Sequence, residues 1–285
     1  MLSSMGSLKG FIEIIRPLNS IMMGFGIIVG ILTSGKTDLL ELNWTLLYIF
    51  STGFTLTGAA MAINDYFDRG IDAVNEPQRP IPSGEVSPRE AIAVSLTLSL
   101  IGLSAALATC FYCFIIALFS WVIMMAYSAW GKRTGLLGNL MVSVCIALPF
   151  MYGGVLTENL GASFLFGLIA FLTNTGREIT KGIVDIKGDR KADINTVAVN
   201  HGADHAAKLA ALFYLAATLI SFIPHLWGIV SVWYLPFVAI TDLILVYGSY
   251  SILIDPSRNN SRRIKNTVLY GMLSGLIGFA LGSIL

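Results

Sequence analysis

Asn64-Asp65-Tyr66-Phe67-Asp68-Arg69-Gly70-Ile71-Asp72 closes the apolar run that begins at Trp44. A second acidic cluster, Asp185-Ile186-Lys187-Gly188-Asp189-Arg190-Lys191-Ala192-Asp193, closes another apolar run later in the chain. Carboxylates gathered beside hydrophobic spans are costly, so they imply that something positive is held there. Asn64, Asp68 and Asp72 follow at i, i+4, i+8, with Asp65 one turn before Asp68, so most of the cluster shares one helix face. Asp185, Asp189 and Asp193 repeat the spacing. Facing each other across a cavity, the two sets would offer the oxygen ligands that hard divalent cations such as Mg²⁺ prefer. A pair of such ions would in turn attract a diphosphate.

The surrounding composition is that of a membrane protein. The chain has 285 residues, 55% of them hydrophobic and only 12% charged, against about 25% charge in ordinary soluble domains. Its mean hydropathy is +0.75. Apolar stretches near the ~20 residues that cross a bilayer recur throughout. Nine spans are expected: Pro17–Ser34, Trp44–Asn64, Pro88–Thr109, Phe111–Ala129, Leu136–Val155, Leu160–Lys181, His205–Pro224, Ser231–Ile254 and Asn266–Leu285. The expected fold is therefore all-α and polytopic. No soluble insert or Pro/Gly/Ser linker intervenes, so residues 1–285 read as a single transmembrane domain. Lys9 and Arg16 flank a full-length span at the start, without a cleavable-signal pattern.

Nine spans and a cytoplasmic N-terminus leave seventeen Lys and Arg residues inside and only Lys36 outside. That asymmetry is a strong positive-inside signal. It puts both acidic clusters, and any chemistry they perform, on the cytoplasmic side of a cell membrane. The net charge of +1 and the lack of a basic-aromatic patch give no reason to expect nucleic acid. Cys110 and Cys113 have metal or redox spacing but lie at an apolar hairpin without a second ligand pair, so they read as small buried side chains. His201 and His205 lack the Glu of a zinc-protease helix.

Each long cytoplasmic connection, roughly Asp65–Ser87 and Gly182–Asp204, begins with an acidic cluster and contains Asp-Arg-x-x-Asp. Pro77, Pro80, Pro82 and Ser83-Gly84 predict an ordered turn in the first. Ser87-Pro88-x-Glu90 then predicts a capped helix start. In span six, Asn174, Glu178, Lys181, Asp185 and Asp189 fall on one face, which must line a cavity or a helix interface. Glu178 pairing with Lys181 or Arg177 would be a purely structural use of that stripe. Asp242, deep in span eight, is expected to hydrogen-bond a neighbouring helix. Gly271-x3-Gly275 and Gly278-x3-Gly282 suit close internal packing of the last span.

Asn64-Asp65-x-x-Asp68-x-x-x-Asp72, the tail Arg79-Pro80-Ile81-Pro82-Ser83-Gly84 and the Asp185/Asp189 pair together resemble the UbiA superfamily of intramembrane prenyltransferases. The resemblance spans the chain in motif order and position. It implies nine helices around a central cavity, with Mg²⁺ ions, two in number, held between the motifs and binding an isoprenoid diphosphate whose tail lies in the membrane. By that match Asn64, Asp65, Asp68, Asp72, Asp185 and Asp189 are the expected metal ligands, with Asn64, Asp68 and Asp185 central to catalysis. Arg69, Arg79, Lys132, Lys181, Asn19, Tyr127 and Glu178 are the candidate substrate contacts. The family's usual Tyr-x3-Lys is here Tyr127-x4-Lys132.

Relatives that prenylate hydroxybenzoate carry Arg-Gly-Ala where this chain has Thr57-Gly58-Ala59. The stretch Gly176-Arg177-Glu178-Ile179-x-Lys181-Gly182-Ile183-x-Asp185-x-x-Gly188-Asp189-Arg190 is most similar to the archaeal members. Those join a geranylgeranyl group to the free hydroxyl of geranylgeranylglyceryl phosphate, so a lipid-phosphate acceptor is expected. A quinone-like, other aromatic or chlorophyllide-type acceptor is the alternative. A cation-coupled transporter is a remoter one, since transporter sites lie nearer the bilayer midplane.

Overall fold

A computed structural model describes residues 7–33 and 43–285. The expected end of the first span at Ser34 and the outside Lys36 lie beyond the described residues. Among those described, the secondary structure is entirely helical. The chain opens with α1 (Leu8–Ile14) and α2 (Pro17–Leu32), which meet at 47°. Between them Arg16 has φ 47 and ψ 72, a left-handed backbone, ahead of the proline that starts α2. A residue before proline is disfavoured in the right-handed helical region, and this one breaks the helix.

Then follow α3 (Asn43–Asn75), α4 (Pro88–Thr109), α5 (Phe111–Ala129), α6 (Leu136–Leu156) and α7 (Leu160–Lys191). The chain ends with α8 (Val197–His201), α9 (Ala203–Ser221), α10 (Ile223–Leu226), α11 (Leu235–Ile254) and α12 (Arg258–Ile284). Nine of these are long, one at each expected span. Among the described residues, seven helices are long and apolar enough to cross a membrane, or eight if bent α1 and α2 form one span. The remaining long helix is α7, whose apolar run is interrupted by Asn174, Arg177, Glu178 and Lys181. Each of the nine expected spans thus coincides with a long helix, while length and apolarity among the described residues support seven or eight crossings. The chain is a multi-pass membrane protein.

Both expected loops begin later than the sequence suggests. α3 continues past Asn64 to Asn75, and α7 past Lys181 to Lys191. The first acidic cluster and, in the second, Asp185 and Asp189 are therefore helical extensions of their spans, whereas Asp193 lies past the end of α7 with φ 55 and leaves the expected i, i+4 row. The same i, i+4 spacing that puts the carboxylates on one face keeps the backbone hydrogen bonds running. After α3, Arg79–Gly84 coils into a turn in which Ser83 N donates to the Arg79 carbonyl (2.9 Å) and Gly84 has φ 81, where glycine alone is unstrained. The turn buries Ile81 and Val86 against Ile14, Ala62 and Ala91. Ser87 and Glu90 then cap α4 reciprocally, as predicted.

Each long helix packs against the next, and α12 returns to α2, enclosing a central space. Small residues permit the closest approaches. A Cβ on Gly153 of α6 would run into the backbone of Gly30 and Ile31 in α2. The paired glycines of α12 face Ile244, Thr241 and Phe237 of α11 and Tyr234 just before it, so they serve internal packing. Cys113 and Cys145 are buried, and Cys110 caps α5 by accepting from the Cys113 N–H. Large apolar side chains such as Leu100, Phe119, Leu219 and Leu243 point outward, as lipid requires.

Candidate active site

The central space is a cavity of about 270 Å³. Its mouth lies where the acidic ends of α3 and α7 approach each other, and six cations line it: Arg16, Arg79, Lys132, Arg177, Lys181 and Lys265. Below them the wall turns apolar, with Met124, Ile146, Ile169, Met272 and Phe279 among its residues. A second apolar space of about 90 Å³ shares Met23, Met61, Met124 and Ile146 with the first and reaches Ile27, Trp121 and Tyr152.

The carboxylates of α3 stand directly behind the cations. Lys132 Nζ donates to Asp68 Oδ2 at 2.6 Å, and Asn64 Nδ2 donates to the same oxygen at 3.0 Å. Arg16 donates to Asp65 Oδ1 at 2.6 Å, and Arg79 donates to Asp72 Oδ2 at 2.6 Å while lying 3.5 Å from Asp65. All three aspartates are buried, with at most 5% exposed. Charges this secluded survive only when paired. Burial opposes the charge on Arg79, but Asp72 and Asp65 outweigh it and raise the guanidinium's pKa.

Across the gap, α7 carries the second cluster. Glu178 accepts from Lys181 at 3.1 Å and Arg177 at 3.3 Å, so the structural pairing anticipated for the stripe is present. Asp185 and Asp189 make no ion pair within 4 Å among the described residues. Asp189 lies two turns past the apolar part of α7. Burial and then the nearby Asp185 carboxylate push its carboxyl up to about 6, with Lys132 and Lys181 pulling down and Asp68 adding repulsion from across the gap. Lys132 thus stands between the two clusters.

Of the expected site residues, Asn19, Asn64, Arg79, Tyr127, Lys132, Glu178 and Lys181 line the cavity. Asp65, Asp68, Asp72, Asp185 and Asp189 are not among its lining residues, and neither is Arg69. One residue on from Asp68, it points about 100° away around the helix, exposed, donating to the Tyr66 carbonyl at 2.6 Å and lying over the Tyr66 ring. Nor do the carboxylates form a closed cage: among the described residues no three His, Cys, Asp or Glu side chains converge tightly enough to hold an ion. The α3 aspartates are one helical turn apart and drawn to Arg16, Arg79 and Lys132 instead. Their chemistry still suits Mg²⁺, since Asn64, Asp68, Asp72, Asp185 and Asp189 are all hard oxygen donors. Asp242, as expected, bonds a neighbouring helix, accepting from Ser221 of α9 at 2.8 Å.

Residues 23–271 match the model of the UbiA prenyltransferase family. The chain belongs to that family. Relatives agree over nearly full length. A digeranylgeranylglyceryl phosphate synthase of Methanothermobacter thermautotrophicus is 35% identical over 277 residues, 96% of this chain and 95% of the relative. One of Methanosphaera stadtmanae is 31% identical over 96% of this chain and 99% of its own length. A solved structure of digeranylgeranylglyceryl phosphate synthase aligns with a TM-score of 0.75 at 29% identity, covering 97% of this chain and 98% of that one. A UbiA homologue from Archaeoglobus fulgidus, bound to DMAPP and Mg²⁺, shares the fold with a TM-score of 0.65 at 18% identity, covering 96% and 99%.

This UbiA prenyltransferase holds three cavity cations that the sequence did not mark as site residues: Arg16, Arg177 and Lys265. Arg16 and Lys265 sit near span boundaries, where positive charge is ordinary, so nothing in the sequence separated them from topology signals. Arg177 was visible only as a partner for Glu178. Its Nε also donates to the Lys265 carbonyl at 3.3 Å, tying α7 to α12 beside the cavity.

Proposed function

We propose that this prenyltransferase transfers a geranylgeranyl group from its diphosphate to the glycerol hydroxyl of geranylgeranylglyceryl phosphate. The reaction would make the second ether bond of archaeal lipids at the cytoplasmic face of the cell membrane. The observation that carries the reading is a cation-lined, carboxylate-backed mouth above an apolar cavity. The donor's C1–O bond breaks and inorganic diphosphate leaves. C1 then bonds the acceptor's hydroxyl oxygen, whose proton is released. Lys132 and Arg79 are placed to neutralise charge growing on the leaving group, which is where electrostatic help counts most. Mg²⁺, when bound by Asn64, Asp68 and Asp72 on one side and Asp185 and Asp189 on the other, supplies further charge neutralisation of the diphosphate. The apolar wall below excludes water from the reacting carbon.

Two features support a lipid-phosphate acceptor. Arg177 and Lys265 form a second positive position, on the α7–α12 side, suited to a phosphate separate from the donor's. The adjoining apolar arm offers room for a second chain. Thr57, where hydroxybenzoate-prenylating members have Arg, lines the cavity and gives no charge to meet an aromatic carboxylate. The test is purified protein with geranylgeranyl diphosphate, Mg²⁺ and either geranylgeranylglyceryl phosphate or aromatic acceptors, with products read by mass. The diether phosphate is expected, and efficient transfer to hydroxybenzoate instead would overturn the acceptor assignment.

A further inference from the structure

We propose that Phe279 is the floor of the donor-tail channel and limits the tail to four isoprene units. The proposal rests on the prenyl-transfer reading and names a residue that sets chain length. Lys265, Leu269, Met272, Leu276 and Phe279 of α12 all line the cavity, at steps of four, three, four and three. They form one helix face running from the cation mouth downward. Fourteen residues separate Lys265, which marks the level of the cation mouth and not the donor's own head position, from Phe279, or about 21 Å at ~1.5 Å per residue. On α7, twelve residues separate Lys181 from Ile169, the deepest lining residue of that helix, or about 18 Å. Two independent helices thus give a channel of similar depth.

An extended covalent chain advances about 1.1–1.2 Å per bond, as three bonds per residue make a strand's ~3.3–3.6 Å. Four isoprene units have sixteen main-chain bonds and reach about 18–19 Å. Three units reach only about 13–14 Å and leave the lower part of either depth empty, whereas five reach about 22–24 Å and overrun both, so four are the most that fit.

The floor is firm. Phe279 is 5% exposed, and its ring sits 4.5 Å from Phe166, 5.8 Å from Tyr234 and 5.9 Å from Phe150, centroid to centroid. Tyr234 is itself fixed, donating its hydroxyl to the Ser221 carbonyl at 2.6 Å. Interiors this well packed yield little to an overlong tail. Leu276, one turn nearer the mouth, is half-buried and faces the same space.

The test pairs two substitutions that move the floor in opposite directions. Phe279→Leu lowers it while keeping the site apolar, and Leu276→Phe raises it from a half-buried position that lines the cavity and packs against the ring cluster. Diphosphates of 15, 20 and 25 carbons compete for one acceptor, with kcat/KM ratios read by mass. Phe279→Leu should raise the 25:20 ratio, and Leu276→Phe the 15:20 ratio, each by about tenfold or more, the scale on which a filled or empty pocket discriminates. Ratios within twofold of the parent in either folded, active variant overturn the proposal. A parent protein that transfers none of the three diphosphates instead refutes the prenyl-transfer reading on which it rests.

Discussion

Lys132, in the short turn before α6, donates to Asp68 of α3 across 64 residues of sequence, at 2.6 Å. The same ammonium also draws down the pKa of Asp189 on the opposite helix, against burial and Asp185, which raise it. One side chain therefore answers to both acidic clusters, at the place where a leaving diphosphate would arrive.

Replacing that ammonium should hurt chemistry more than folding. Lys132→Met is expected to raise the donor KM and to lower kcat by about 100-fold or more, because charge on the leaving group grows toward the transition state. Lys181→Met should cost less, since Glu178 already holds Lys181 at 3.1 Å. Steady-state kinetics on both variants decide it. A larger kcat loss at Lys181 would reverse the ranking.

Asp68→Asn and Asp185→Asn probe the two clusters separately. Each should reduce turnover by at least about 100-fold and shift the Mg²⁺ dependence to higher concentration, with helical content unchanged by circular dichroism. Mg²⁺-dependent activity equal to the parent's in either variant would remove that aspartate from the site.

Arg16 makes a prediction about stability. Asp65 is 2% exposed, and losing its 2.6 Å partner leaves a buried charge dependent on Arg79 at 3.5 Å. Arg16→Gln should therefore destabilise the detergent-solubilised protein by about 1–3 kcal/mol. Thermal unfolding measures this, and a combined Arg16→Gln, Arg79→Gln variant should lose more than either alone. A melting temperature equal to the parent's for both single variants would show that the pairs do not stabilise the fold.

At Gly153 the consequence is steric. Any larger side chain meets the α2 backbone at Gly30 and Ile31, so Gly153→Val should cost about 1–3 kcal/mol or more through forced helix separation. Gly161, with nothing near its absent Cβ, is the control. Gly161→Ala should unfold within a degree or two of the parent, consistent with exposed glycine substitutions.

Much of this was legible in the sequence because it rests on local rules. Apolar runs, the Ser87–Glu90 cap and the i, i+4 carboxylates follow from helix periodicity, and they gave the all-α architecture and both acidic clusters. What the sequence hid depends on three-dimensional placement. Arg69 belongs to the motif but rotates away from it, whereas Arg16 lies far off in sequence and reaches Asp65. The charged ends of α3 and α7 read as loops because a change from apolar to polar residues marks the membrane's edge as readily as a helix end. Channel depth, likewise, appears only when α7 and α12 stand side by side.

The length of α3 has one more consequence. Its 33 residues extend about 50 Å, while a bilayer's hydrocarbon is about 30 Å thick. The stretch from Trp44 to Ile63 fills that thickness, so the turns from Asn64 onward rise like a turret into the headgroup layer. On the proposed reading, a phosphate-headed lipid and a diphosphate-headed lipid can meet there with both heads still at the depth they occupy in the leaflet. Neither must be hauled into oil or lifted into water, and only the tails need to slip sideways between the helices.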